Sequence, residues 1–261
     1  MPTILVINSK GGSGKTTVAT NLASYYASRK LQTAIIDYDM QGSSMQWLKL
    51  RPANAEKIHG ANAAPAKGAS PLRSMKAWLP ADSEVVVIDA PAGTKGLLLQ
   101  ELVSKSNFIV IPVAPSPIDI HATADFIKEL FLFGGARTSR AKIAVIANRV
   151  RNPSTPVYGS LERFLNSLKL PFLTSIRDSD VYLNASENGL GVFEMEESVT
   201  VAERREFMPI LKWLNGQFPN RFGSRITDKL QSLEESRKVA AFPMKSQGLI
   251  LTSTGKFKGY P

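Results

Sequence analysis

Ser9-Lys10-Gly11-Gly12-Ser13-Gly14-Lys15-Thr16-Thr17 stands between an apolar run, Ile4-Leu5-Val6-Ile7, and a helix-forming stretch, Val18-Ala19-Thr20-Asn21-Leu22-Ala23. A glycine-rich turn that leaves a buried strand and opens a helix is the setting expected of a phosphate-binding loop, not of a chance run of glycines. Glycines let successive backbone N–H groups turn inward around phosphate oxygens, and the helix amino terminus adds a positive field. On this reading Gly11, Gly12, Ser13, Gly14, Lys15, Thr16 and Thr17 cradle a nucleotide. Lys15 reaches the β/γ phosphates, and Thr16 offers its hydroxyl to Mg²⁺.

Outward from this loop, short β-rich runs occur at Thr3–Asn8, Thr33–Asp37, Glu84–Asp89, Phe108–Pro112, Ala141–Asn148 and Pro171–Ile176, with helix-length segments between them. Runs such as Val85-Val86-Val87-Ile88 are apolar at every position, which implies burial on both faces. The pattern predicts an α/β fold, doubly wound, with a mainly parallel sheet and helices on both faces. Ligands of such sheets sit beyond the carboxyl ends of the strands, where Lys10, Asp37, Asp39, Asp89 and Asn148 are expected to converge. Residues 51–80 read as an irregular connection with one short helix near Ser70–Leu79. The expected division is a nucleotide-binding domain over 1–218 and a basic tail over 219–261, with a helix at Ser224–Ala241 and a mobile end.

Two acidic strand ends accompany the loop. Ile35-Ile36-Asp37-Tyr38-Asp39 places acids in D-x-D spacing, so one side chain can support the turn while the other faces a ligand. Val85-Val86-Val87-Ile88-Asp89 has the form of a Walker B strand, whose acid holds Mg²⁺ usually through water. Asn148, at the end of a later strand, offers an amide that can pair with a purine edge, with Arg149 beside it. Guanine-specific proteins place an acid three residues after such an asparagine. Arg151 stands there instead, so ATP is favoured over GTP.

The loop departs from the general G-x-x-x-x-G-K-[ST] pattern: Ser9 occupies the first glycine, and Lys10 follows it. In this it resembles the deviant K-G-G-x-G-K-T-T loop of the ParA/MinD family. The resemblance implies an ATPase with ATP and Mg²⁺ as cofactors, in which Lys10 reaches across a homodimer to the partner's nucleotide, as an arginine finger does. Asp37-Tyr38-Asp39-Met40-Gln41 resembles the family's first switch, D-x-D-P-Q, with Met40 for proline; on that match Asp39 orients the attacking water and contributes at the metal. Asp89-Ala90-Pro91 resembles the second switch, D-x-P. Ile111–Asp119 and Thr174–Tyr182 resemble segments of small ParA-like partition ATPases; the latter lines the adenine pocket there, which brings in Arg177 and Asp178. The resemblance spans roughly Met1 to Phe218.

Composition narrows the choice. The chain has no cysteine, which excludes the redox and metal-carrying branches that resemble this family but depend on cysteine, and also fits a reducing cytoplasm. The first residues carry neither a basic n-region nor a small-residue cleavage site, and no apolar run reaches the roughly 20 residues of a spanning helix. A formal charge of +10 and a pI near 9.8 favour an anionic partner. From Gly216 onward eight Lys/Arg face three acids, so half of the net charge lies in the tail. Ser224–Ala241 has Ile226, Leu230 and Leu233 on one stripe, interrupted by Arg237 and without an aromatic residue, a poor membrane anchor. Nonspecific DNA is therefore the expected polyanion, with Arg149, Arg151, Arg204, Arg205, Lys212 and the tail as contributors.

The expected function is an ATP-dependent dimerisation switch that hydrolyses ATP slowly, binds DNA, and positions or partitions a plasmid or other cargo through an adaptor protein that stimulates hydrolysis. Its expected place is the cytoplasm, on the nucleoid of a prokaryote. The alternatives are a MinD-like ATPase on a membrane surface and a biosynthetic amide-forming enzyme; Lys10, as a residue of dimerisation, speaks against the latter. His59 and His121 stand too far apart in sequence to suggest a metal pair and read as structural or surface residues, and Trp47, Trp78 and Trp213 read as packing anchors.

Overall fold

The fully apolar runs become strands covered on both faces. β1 (Thr3–Val6), β2 (Thr33–Asp37), β4 (Val85–Asp89) and β5 (Phe108–Val113) are buried at every position. With β3 (Ile58–Asn62), β6 (Lys142–Val150) and β7 (Phe172–Arg177) they form one seven-stranded sheet in the order β3-β2-β4-β1-β5-β6-β7. Every pairing is parallel. The computed structural model describes residues 1–64 and 79–216. The helix expected near Ser70–Leu79 (apart from Leu79), Trp78, the Ser224–Ala241 helix and the 219–261 tail lie outside the described residues.

β1 sits in the middle, with β4 on one side and β5 on the other. The chain leaves β1, builds outward to β2 and β3, returns to β4, then crosses to β5, so the strand order reverses beside β1. A crevice opens at such a reversal, beyond the strand carboxyl ends. The register sharpens the point: Asp37 is paired with Asp89 across β2 and β4, and Val6 with Asp89 across β1 and β4. Two acids and the start of the glycine loop are therefore neighbours by strand pairing alone.

Helices α1 (Lys15–Ser28), α2 (Ser43–Lys49), α3 (Gly96–Ser104), α4 (Pro117–Leu132), α5 (Pro156–Ser167), α6 (Asp180–Glu187) and α7 (Glu197–Asn215) complete the layers. α1 is buried along most of its length, including Tyr25 and Tyr26, which accounts for its apolar and small residues on all sides. α4 and α5 begin with cap and proline: Ser116 precedes Pro117, Thr155 precedes Pro156, and each hydroxyl accepts a backbone N–H from the first turn. Trp213 packs edge-on against Phe108 at 5.3 Å between ring centres, and Trp47 is buried with Nε1 donating to the Leu190 carbonyl.

Two features depart from the sequence expectation. β3 lies inside the stretch read as an irregular connection; only Ala61 of Ile58-His59-Gly60-Ala61-Asn62 is buried, so the strand carries no apolar run to betray it. A buried ion pair joins the segment after α2 to the turn after α6. Arg51 donates both terminal nitrogens to Glu194 at 3.0 and 2.7 Å, and also to the carbonyls of Gly189 and Glu56. Its guanidinium lies 5.1 Å from the centre of the Trp47 ring.

Candidate functional site

The loop after β1 is held open by its own side chains. Asn8, fully buried, donates to the Pro112 carbonyl at 2.8 Å and to the Thr123 hydroxyl at 3.0 Å, which fixes the loop entry to β5 and α4. Gly12 and Gly14 adopt φ of 79° and 82°, the left-handed region where a side chain would be strained. A Cβ on Gly14 would also fall 2.2 Å from the Asn148 amide nitrogen. Lys15 is 7% exposed, and its ammonium donates to the Lys10 carbonyl at 2.9 Å. Burial lowers its pKa, against the attraction of Asp89 and Asp39. Ser13 donates to the same carbonyl, so Lys10 engages the loop by its backbone.

The acids divide their tasks. Asp37, fully buried, accepts the Asp39 N–H on Oδ1 and the Ser44 N–H and hydroxyl on Oδ2, at 2.7–3.0 Å. It shapes the turn into α2, and most of its accepting capacity is used there. Asp39 accepts the Gln41 N–H at 2.9 Å and lines the cavity described below. Asp89 is 1% exposed, and neither of its carboxylate oxygens has a hydrogen-bond partner of good geometry. Burial, then the adjacent Asp37, pushes its carboxyl up to about 7, against the nearby Thr16 hydroxyl and Lys15.

An orphaned carboxylate of this kind is what a divalent cation would satisfy. Asp89 fits Mg²⁺ on this ground, and Thr16 and Asp39, which line the cavity described below, would complete its protein side. Among the described residues no three acids or histidines converge as metal ligands, so the remaining positions would fall to phosphate oxygens and water, as Mg²⁺ favours. His59 and His121 are both exposed, on β3 and α4.

The Asp89 proton has a measurable consequence. The ordinary carboxyl value is 3.8, and the folded value is about 7. The folded chain thus holds a proton that the unfolded chain releases; the stability this gives is full below the ordinary value and is lost as pH rises through 7. At roughly 1.4 kcal/mol per pH unit, the loss amounts to a few kcal/mol. Asp89→Asn is expected to flatten the fall in melting temperature between pH 5 and 8 in nucleotide-free protein, and to lose the Mg²⁺-dependent stabilisation by ATP. Parallel pH profiles for the parent and the variant would refute it.

A cavity of about 430 Å³ opens above these groups. Of the expected nucleotide and metal residues, all but Lys10, Ser13 and Asp89 line it: Gly11, Gly12, Gly14, Lys15, Thr16, Thr17 and Asp39, with Asn148, Arg149, Arg177 and Asp178. Asn148 is 3% exposed and donates its amide to the Ser13 carbonyl at 2.7 Å, so here it braces the loop from below as well as facing the cavity. Arg149, at φ 59°, turns its guanidinium onto the Gly12 carbonyl at 3.1 Å. Arg177 is paired with Glu206 at 2.7 Å. Tyr182 and the exposed Leu183 of α6 also line the cavity. Tyr182 closes the segment quoted above for its resemblance, while Leu183 passes in sequence for an ordinary helical leucine.

One residue expected to contribute to DNA binding is engaged within the fold. Arg204 donates to the carbonyls of Val192 and Met195 and stacks over Phe193, so its charge is spent inside the fold. Arg205 is exposed on the same helix.

Comparison with known proteins bears on the family and the fold. The chain is 29% identical over 198 residues, 74% of its length and 87% of the relative's, to the maintenance of carboxysome distribution protein A of Halothiobacillus neapolitanus. The fold superposes on a Cyanothece McdA–ATP complex with TM-score 0.60 at 18% identity, covering 83% of this chain and 96% of that one. It superposes on the septum site-determining protein MinD of Pyrococcus horikoshii OT3, complexed with Mg-ADP, with TM-score 0.61 at 17% identity, covering 87% and 99%. The CobQ/CobB/MinD/ParA nucleotide binding domain matches residues 4–192. With the glycine loop, both acidic strand ends and the cavity between them inside that span, the chain belongs to the CobQ/CobB/MinD/ParA nucleotide-binding domain family.

Proposed function

We propose that this ATPase is an ATP-driven dimerisation switch that hydrolyses ATP slowly and positions or partitions an intracellular cargo by binding DNA nonspecifically in its ATP state. The observation that carries the reading is the surface around the site. Met40, Leu97 and Ile118, on the segments that follow β2, β4 and β5, are each 70–72% exposed at the same carboxyl edge as the loop. Large apolar side chains gathered at one edge favour a protein partner there. A second copy of this chain would cover them and bring its own Lys10 to the opposite nucleotide.

In that dimer Lys15 holds the β/γ phosphates of its own ATP, Lys10 adds charge to the partner's γ-phosphate, and Asp39 orients the attacking water. Mg²⁺, held by Thr16, Asp89 and Asp39, would neutralise the phosphates. Asn148, Arg149, Arg177 and Asp178 form the end that receives the base. The likeness to a carboxysome distribution protein supports cargo positioning through an adaptor that stimulates hydrolysis. Residues 219–261 would act as a basic tail beside an ATPase domain of 1–218, on the nucleoid of a prokaryotic cytoplasm. Among the described residues no helix is long and apolar enough to cross a membrane.

The net charge of +10 supports the DNA step, because a dimer roughly doubles the phosphates neutralised along one duplex. Duplex mobility shifts with ADP, with ATP, and with ATP plus Lys10→Ala should show binding at least about tenfold tighter with ATP, falling steeply with salt and returned to the ADP level by the variant. Equal binding with ADP and ATP, or binding indifferent to salt, would remove DNA from the proposal.

A further inference from the structure

Guanine presents two adjacent donors, N1–H and the 2-amino group, and a protein reads them with a carboxylate whose oxygens are free to accept. Adenine needs no such group. The residue three places after Asn148 is arginine, yet the base end of the cavity does contain an acid: Asp178, supplied by the neighbouring strand. Each of its oxygens already faces an arginine. Arg151 Nε donates to Oδ2 at 2.9 Å, and Arg149 Nε approaches Oδ1 at 3.4 Å.

We propose that Arg151 sets the base selectivity of this site by sequestering Asp178, so that an acid able to read guanine is kept neutralised and adenine is favoured. The inference rests on the nucleotide reading given above. The strands are built for this contact. Register shifts between Ala147 and Val150 displace β6 against β7, the Asp178 N–H donates to the Val150 carbonyl at 3.1 Å, and Arg151 is thereby delivered beside the Asp178 carboxylate. The hydrogen bond from Arg151 is the foremost influence holding that carboxyl below its ordinary range, with Arg149 adding to it and burial opposing.

The two arginines differ in what else they do. Arg149 also holds the Gly12 carbonyl, so changing it would disturb the phosphate loop. Arg151 is 82% exposed and pairs with Asp178. Removing it uncovers one oxygen of an ionised acid without opening the core. Arg151 is therefore a positioning residue that acts through Asp178, and a guanine entering the parent site would set its two donors against guanidinium groups and leave them unpaired, the situation that costs most in discrimination.

Fluorescent ATP and GTP analogues titrated into the full chain test this, using the parent, Arg151→Ala, and Arg151→Ala combined with Asp178→Asn. Arg151→Ala should gain about tenfold in GTP affinity while ATP affinity moves less than about twofold. The added Asp178→Asn should erase the gain. An unchanged GTP-to-ATP ratio in Arg151→Ala, or a gain that survives Asp178→Asn, overturns the proposal. Failure of the parent to bind either analogue would instead overturn the nucleotide site itself, and the parent's own ATP titration separates the two results.

Discussion

Lys15→Ala lowers ATP affinity by at least about a hundredfold, the loss expected when two charge-assisted hydrogen bonds to phosphate disappear together. The ammonium is already desolvated at 7% exposure and is held at the loop by one carbonyl, that of Lys10. An arriving β/γ phosphate offers it a stronger acceptor than a neutral carbonyl, and little water must be stripped away first. The measurement is a fluorescent-nucleotide titration with thermal melting alongside, since the same ammonium also braces the empty loop. ATP affinity within about threefold of the parent, in a variant that melts normally, would show that the phosphates lie elsewhere.

Glu194→Ala is expected to cost about 3 kcal/mol, because it leaves the Arg51 guanidinium inside the fold without its counter-charge. The two side chains are only 7% and 8% exposed. The same carboxylate also accepts the Gly191 N–H at 3.0 Å, so the turn after α6 loses a second anchor. For a domain of this size the melting temperature should fall by roughly 6–12 °C. Scanning fluorimetry reads the shift directly, and a fall under about 2 °C would mean that solvent reaches Arg51 readily. Arg51→Met combined with Glu194→Leu should recover only part of the loss, since an apolar pair leaves no charge to compensate but the Gly189 and Glu56 carbonyls and the Gly191 N–H lose their partners.

The parts of the fold that were legible in the sequence are those whose physics is local. A strand buried on both faces must be apolar throughout, so β1, β2, β4 and β5 announce themselves, and a phosphate loop requires glycines and a lysine at fixed spacing. β3 escapes because it lies at the sheet edge: with one buried alanine in five residues, Ile58–Asn62 looks like any turn-rich connection.

At the site, the sequence identifies which residues gather but not how they spend their hydrogen bonds. Asn148 reads as a purine ligand, and its amide nitrogen also donates to the Ser13 carbonyl 135 positions away, a pairing fixed by strand order and not by any motif. Arg204 reads as a free surface charge, yet it is enclosed by the turn 192–195. The Arg151–Asp178 contact depends on register shifts between two strands, which no spacing rule encodes.

The central place of β1 carries a consequence for how the chain is made. Thr3 to Val6 leave the ribosome well before their partners, which are Val86 to Asp89 on one side and Phe108 to Val110 on the other. At roughly 5–20 residues per second, several seconds pass before either flank exists. Until then the apolar strand and the glycine loop behind it have no sheet to join, and β2 and β3 can pair only with each other. The nascent chain therefore exposes an apolar strand for several seconds, and the nucleotide site closes only after β7 has emerged. Ribosome-bound chains halted before Phe108 should be chaperone clients, while those halted well beyond Val113 should begin to resist protease at the amino terminus.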